Sequence, residues 1–437
     1  MGDLFAKCRS FEDAKRIQAA GVYPFFRAIE STGGSSVVTD GKRRVMIGSN
    51  NYLGLTHHPR VREAAKNAID QFGTGCTGSR FLNGNLTIHE ELEHRLAKFL
   101  GREACLVFAT GFLTNHGVLS CLVGRNDVIY SDRENHASIF EGTRAALGDT
   151  IKFRHNDMED LERVMKNTRE KYDGALIVAD GVFSMSGDIL RLPEVLDLAK
   201  KYECRVYVDC AHALGVLGPQ GQGTEFHFGL ENKADLVMST FSKSFASLGG
   251  MVAGNEDVIH YIKHKARSFM FSAAMPPAAV ATVLECVKIV QEEPEHLANL
   301  WKNARKMHRE LERMGYNTLN SQTPIIPLLI GDDFRALSFA QKLYEHGVFA
   351  TPVLKPAVPD GCALIRTSYM ATHTDQDLDY VLEVLEKLGK EFEIIGHTGR
   401  QAELTALAET HFGTAIARPT YAPNTFAAQA ALTAVVG

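Results

Sequence analysis

The chain has 437 residues, enough for one large or two ordinary domains, each with a core that buries most of its apolar side chains. A hydrophobic fraction of 45% and a charged fraction of 23% are those of a soluble globular protein, and they exclude disordered, collagenous and coiled-coil chains. The formal net charge of -5, without clustered cations, excludes a nucleic-acid surface and leaves a small or acyl-carrying substrate as the expectation.

The opening "MGDLFAKCRSFEDAKR" carries acids early and has no apolar core, which predicts no secretion signal. No apolar run approaches a bilayer span, so no transmembrane segment is expected. The eight cysteines are scattered without a Cys-x-x-Cys pair, which argues against a disulfide framework or a zinc ribbon and fits a reducing cytoplasm. Residues 1–50 are set apart as an N-terminal arm. The amphipathic stretch "PRVREAAKNAIDQF" then predicts a helix, followed by "GTGCTG", which matches the dinucleotide fingerprint letter for letter. That fingerprint needs a strand before it and a helix opening within it, so an irregular glycine loop is the better reading.

In "IHEELEHRLAKFLG", Ile88, Leu92, Leu96 and Phe99 recur at helical spacing and Gly101 is a stop signal. His89 and His94 stand about 140° apart on such a helix and cannot share one zinc, so both are expected on the surface, and no metal site is assigned. Strand-like runs follow in "ACLVFATG", "DVIYSD", "ALIVADG", "RVYVDCAH" and "ADLVMSTFSK", mostly separated by enough residues for a helix. This order predicts an α/β fold, a doubly wound, mostly parallel sheet over residues 51–289. From about residue 290 to 395, long helices precede the short runs "TPIIPLLI" and "CALIRTSY", which predicts a smaller α+β domain. Residues 396–437, rich in Ala and Thr, are expected to be a flexible tail.

The carboxyl ends of the strand-like runs carry the chemistry. In an open parallel sheet, ligands bind beyond those ends. Here they hold Thr110-Gly111, Asp132 to His136, Asp180 to Ser184, Asp209 with His212, and Ser239 to Lys243. Each alone could be a cap or a turn; five on one edge point to a site. A lysine at such an edge is an amine able to condense with an aldehyde, and pyridoxal phosphate enzymes pair such a lysine with an anion opposite the pyridine nitrogen. Asp209 fits that anion and explains why an apolar strand ends on a carboxylate. His212 can hydrogen-bond the ring's phenolic oxygen and His136 can stack on the ring. Thr110, Gly111 and Phe112, at a helix start, offer backbone donors to the phosphate.

These residues, with "SNNYLGL", "GTGCTGSRFLNG", "DRENHASI", "DGVFSMSGD", "VDCAHALGVLG", "TFSKSFASLGG" and "RSFMFSAAMPP", resemble the α-oxoamine synthases over roughly residues 20 to 395. Within that family, "TFSKSFASLGG", "RFLNG" and "SYMATHT" are most similar to the bacterial soluble serine palmitoyltransferase branch. The resemblance implies the fold-type I, aspartate aminotransferase-like transferase fold. It also implies a pyridoxal phosphate-dependent condensation of an amino acid, serine in that branch, with an acyl-CoA, with loss of carbon dioxide. It assigns Lys243 as the covalent and proton-moving residue, Asp209 to the ring nitrogen, His212 to the phenolic oxygen and His136 to stacking. Thr240 with Gly111 and Phe112 hold the phosphate, Ser272 reaches it from the second subunit of a homodimer, and Ser184 lies near the cofactor. Arg366 binds the substrate carboxylate by a two-pronged hydrogen bond, and Asn50 and Tyr52 line the site mouth. Two departures from the family pattern stand out: Cys210 and Ser186 occupy commonly acidic positions. The alternatives are another α-oxoamine synthase with a different amino acid or a carrier-protein acyl donor, and a noncatalytic partner subunit. Transient membrane contact to collect a lipid substrate is compatible with either.

Overall fold

The computed structural model describes residues 2–412. Its centre is a seven-stranded sheet in the order Ala104–Phe108, Gly250–Gly254, Leu236–Thr240, Arg205–Asp209, Ala175–Asp180, Val128–Asp132 and Asp149–Phe153. Gly250–Gly254 runs antiparallel to both of its neighbours, and the remaining pairs are parallel. Alternate residues along the strands serve two separate cores. Val107, Tyr130, Ile177 and Val208 pack on one face, and Phe108, Ile129, Val178 and Tyr207 on the other. Both faces are thus covered, which is why these strands read as continuous apolar runs. Each such side chain contributes about 1.5–3 kcal/mol by leaving water, so the sheet edge is held rigidly wherever the strands end.

Two strands of this sheet went unread in the sequence. Asp149–Phe153 is an edge strand, mostly polar and exposed. Gly250–Gly254 opens on a glycine because it passes close to a helix: a Cβ on Gly250 would stand 2.7 Å from Gly111 Cα and 2.6 Å from Thr114 Oγ1.

The second unit has an antiparallel sheet of Ile325–Gly331, Ala363–Ser368 and Thr351–Val353, flanked by helices Glu295–Met314, Asp333–Glu345 and Asp375–Glu391. The N-terminal residues join it. Lys42–Met46 pairs in parallel with Val348–Phe349, and Val45 and Ile47 enter one core with Ile326, Ile365 and Leu385. Asn50 and Tyr52 therefore leave this unit directly toward the large sheet.

Two expectations are corrected. The segment from residue 396, expected to be a flexible tail, forms the helix Thr398–Phe412, while residues 413–437 lie outside the described residues. Leu404, Leu407, Ala408 and Phe412 make a short helical stripe among alanines, and they pack against Leu319, Leu329 and Leu364. Arg400 Nη2 also donates to Ile330 O at 2.7 Å. His89, expected on the surface, is fully buried on helix Thr87–Phe99, while His94 is exposed as expected. His89 bridges Leu86 N–H (3.0 Å) and Met275 O (2.8 Å), and burial pushes its pKa down to about 4. It shares the buried face of Leu92 and Leu96, three and seven residues on. The "GTGCTG" loop follows helix Pro59–Phe72, with no strand before it. Among the described residues, no helix is long and apolar enough to cross a membrane.

Candidate active site

Four strands of the large sheet end in polar side chains on one edge: Asp132, Asp180, Asp209 and Thr240. Asp180 and Asp209 are register partners on adjacent parallel strands, and both are buried. Asp209 accepts from Asn115 Nδ2 at 2.7 Å and from Ala211 N–H at 2.9 Å. The orientation of that amide is fixed because Asn115 Oδ1 accepts from the Tyr207 hydroxyl at 2.6 Å. Hydrogen bonds to a charged acceptor contribute about 1.5–3 kcal/mol each, enough to offset much of the cost of burying it. Asp180 accepts from His136 N–H at 2.9 Å. Burial, together with the neighbouring Asp209, drives the Asp180 carboxyl well above the usual carboxylate range. Side-by-side carboxyls resist double ionisation, and Asp180 is the one pushed toward its neutral form.

Lys243 follows the strand Leu236–Thr240 and is half-buried. Burial lowers its amine to about 8, Arg366 acts in the same direction, and Asp209 and Asp180 oppose them. His212 lies buried in the turn after Asp209. Burial, then the nearby Lys243, Arg366 and His136, push its pKa well below 6.5 and keep the imidazole neutral. The buried Tyr52 hydroxyl stands 2.7 Å from His212 Nδ1, 3.3 Å from Asn50 Oδ1 and 3.5 Å from Arg366 Nη2. Arg366, on the strand Ala363–Ser368, donates from Nε to Ser184 O at 2.6 Å and from Nη1 to Ser368 Oγ at 2.9 Å. His136 caps helix Ala137–Ala145, with Nδ1 2.7 Å from Ser138 Oγ and its ring exposed. The structure thus brings Lys243, Asp209, His212, His136, Tyr52, Asn50, Ser184 and Arg366 into one basin between the large sheet and the second unit.

Beside this basin, helix Gly111–Leu122 begins at Thr110. Thr110 Oγ1 takes the Leu113 N–H and Thr110 O takes the Thr114 N–H. Among the described residues the N–H groups of Gly111 and Phe112 keep no partner, which is the arrangement that binds a phosphate. A Cβ on Gly111 would meet Thr240 Cβ at 2.7 Å, so only glycine lets the helix start sit against Thr240. An amine, a buried acid at the sheet edge and an anion-binding helix start fit pyridoxal phosphate. Ser272 lines a cleft on the flank of that helix, with Phe112, Leu113, His116 and Phe271.

The two departures turn away from this basin. Cys210 packs against Thr224 Oγ1 at 3.7 Å, and burial holds its thiol neutral, pushed up to about 12. Ser186 donates to Asp188. Asn115 escaped the sequence reading because a polar residue inside an apolar helix gives no sign of what it faces. Asp180 was visible as a strand end, but its pairing with Asp209 depends on sheet register. Away from the basin, His58 and His296 approach Glu293 at 3.3 and 3.1 Å, and Arg60 binds the same carboxylate at 2.8 Å. Those bonds join three helices.

The sequence matches the profile of the family described as aminotransferase class I and II over residues 43–385. It is 56% identical over 395 residues to a serine palmitoyltransferase of Bacteriovorax stolpii, covering 89% of this chain and 94% of the relative. It is 46% identical to an 8-amino-7-oxononanoate synthase of Thermoanaerobacter pseudethanolicus, covering 88% and 97%. Among solved structures, the serine palmitoyltransferase of Sphingomonas wittichii superposes with a TM-score of 0.87 at 34% identity, covering 90% of this chain and all of that one. The fold is therefore the fold-type I transferase fold, and a solved structure of a serine palmitoyltransferase at the same TM-score carries pyridoxal phosphate. The chain belongs to the pyridoxal phosphate-dependent class I and II aminotransferase family, in its α-oxoamine synthase branch.

Proposed function

We propose that the protein condenses L-serine with a long-chain acyl-CoA, releasing coenzyme A and carbon dioxide; with palmitoyl-CoA the product is 3-oxosphinganine, the opening step of sphingolipid synthesis. The observation that carries this reading is the convergence of Lys243, Asp209 and Arg366 on one basin, in a chain 56% identical to a serine palmitoyltransferase. Bound pyridoxal phosphate supplies an aldehyde for the amino group and a ring that withdraws electrons from the α-carbon. Lys243 is the amine that holds the cofactor and moves the α-proton. With its pKa lowered to about 8, its neutral fraction at pH 7 is about 10%, some 300-fold more than an ordinary lysine offers. Asp209 would accept from the cofactor's ring nitrogen, His212, kept neutral, would hydrogen-bond its phenolic oxygen, and His136 would stack on its ring. Thr240 and the N–H groups of Gly111 and Phe112 would hold its phosphate.

Arg366 binds the serine carboxylate through its Nη1/Nη2 end, because Nε is committed to Ser184 O. Holding the carboxylate there would orient the α-carbon for loss of its proton to Lys243, and positioning of this kind contributes about 7 kcal/mol or more. Tyr52, expected at the site mouth but fully buried, orients His212 and Arg366 from within, and Asn50 holds its hydroxyl. The working unit is a homodimer in the cytoplasm. The exposed Phe112 and Phe271 beside Ser272 support a partner covering that cleft, which brings Ser272 to the partner's phosphate.

The 46% identity to an 8-amino-7-oxononanoate synthase supports a second reading, a different amino acid or acyl donor on the same chemistry. Purified holoenzyme is incubated with mixed amino acids and acyl-CoAs and the products are weighed by mass spectrometry. A dominant serine-derived amino ketone with release of free thiol is the expected result. Products from alanine or another amino acid in preference to serine overturn the assignment, and no thiol release from the protein alone places it among noncatalytic subunits.

A further inference from the structure

We propose that His155 is a positioning residue for the amino-acid carboxylate: its imidazole, clamped between Asp132 and Asp188, sets the Phe183–Asp188 turn and through it the guanidinium of Arg366. The inference rests on the reading of Arg366 as the carboxylate binder. His155 follows the edge strand Asp149–Phe153 and touches no group of the basin directly. Its Nδ1 lies 3.1 Å from Asp132 Oδ1 and its Nε2 lies 3.2 Å from Asp188 Oδ2. With a carboxylate opposite each ring nitrogen, both nitrogens must donate, so the ring is an imidazolium. Burial alone lowers the pKa of this histidine, but Asp188 and Asp132 outweigh it and hold the value well above 6.5.

Each carboxylate has further donors that fix it. Asp132 accepts from Glu134 N–H at 2.8 Å and Asn156 N–H at 2.7 Å. Asp188 accepts from Asn156 Nδ2 at 3.0 Å and from the Ser186 hydroxyl. The serine at 186 thereby steadies Asp188, where an acid would crowd it. The Phe183 ring stands edge-on to the imidazole, with centroids 4.3 Å apart. The turn closes on itself through Phe183 N–H to Asp188 O at 3.0 Å and Gly187 N–H to Phe183 O at 2.9 Å. Ser184 sits inside this turn, and its carbonyl is the acceptor of Arg366 Nε at 2.6 Å. A planar guanidinium held at Nε by a fixed carbonyl has its two-pronged end aimed before substrate arrives. Loosening the turn frees that aim without removing the charge.

A double-mutant cycle tests this on the holoenzyme, read by the dissociation constant of L-serine from the change in cofactor absorbance, with melting temperature and pyridoxal phosphate affinity measured alongside. His155→Gln is expected to weaken serine binding at least tenfold while cofactor affinity stays within threefold. In an Arg366→Lys background, where the aimed fork is already gone, the same change is expected to alter serine binding less than twofold. Equal losses in the two backgrounds, or an unchanged serine constant in His155→Gln alone, overturn the proposal. Should His155→Gln not fold, Asp188→Asn, which keeps an acceptor oxygen on the clamp, enters the same cycle with the same expectations. Serine binding unaffected by Arg366→Lys overturns the carboxylate role of Arg366 and this inference with it. A loss in Arg366→Lys with none in His155→Gln overturns this inference only.

Discussion

Asp209 and Asp180 are the same residue type at the ends of neighbouring strands, and their surroundings separate them. Asp209 has two directed donors, the Asn115 amide and the Ala211 N–H, whereas Asp180 has the His136 N–H and a carboxyl pushed toward its neutral form. An amide can replace a neutral carboxyl at little cost but cannot replace an anion facing a protonated ring nitrogen. Asp209→Asn is therefore expected to lower kcat/KM for serine and palmitoyl-CoA at least 100-fold, about 3 kcal/mol of lost charge pairing. Asp180→Asn is expected to stay within about threefold, since the amide replaces a carboxyl already pushed toward its neutral form and its oxygen still accepts from His136. Steady-state kinetics on the two purified variants decide it, and equal damage in both contradicts this division of labour.

The strands Ala104–Phe108, Val128–Asp132, Ala175–Asp180, Arg205–Asp209 and Leu236–Thr240 were legible as apolar runs because burial on both faces leaves no other composition. Their polar ends were legible for the same reason, since a charge that closes an apolar run has no packing role to play there. Gly250–Gly254 was not legible: glycines at both ends leave only Met251, Val252 and Ala253 as an apolar run, and Gly250 is set by its close approach to Gly111 and Thr114, a constraint that belongs to the neighbouring helix. Helix Thr398–Phe412 was hidden by its alanines and threonines, which blur a stripe of only four apolar positions. Lys243, Asp209, His212, His136 and Ser184 could be picked out by strand position, whereas Arg366, Tyr52 and Asn50 came only from the family resemblance. Nothing local in "ALIRTSY" says that Arg366 meets a carbonyl 182 residues away. Asn115 and His155 lay beyond both routes, because their partners are fixed by sheet order and by loops that meet only in the folded chain.

Over the whole molecule, the basin joins two units, and buried neutral histidines lie both in it and in each unit's packing. Burial lowers His89 and His373 to about 4 each, and holds His212 well below 6.5. In the unfolded chain all three titrate near 6.5, so below that pH the unfolded state binds more protons and stability falls. For His89 and His373 this contribution is complete above pH 6.5 and is lost as pH drops from 6.5 toward about 4, with about 2 kcal/mol per group gone at pH 5, and His212 acts in the same direction. His155 has the opposite sign: its raised value gives stability that is full below 6.5 and lost only as pH rises through that raised value. Calorimetry is expected to show the melting temperature dropping steadily from pH 7 to pH 5, and a flat profile over that range contradicts the neutral burial of these rings. The most direct measurement is borohydride reduction of active holoenzyme followed by peptide mapping. One phosphopyridoxyl group per chain is expected on the peptide that holds Lys243, and fully active protein with that lysine unmodified, or with the label on another residue, contradicts the role of Lys243.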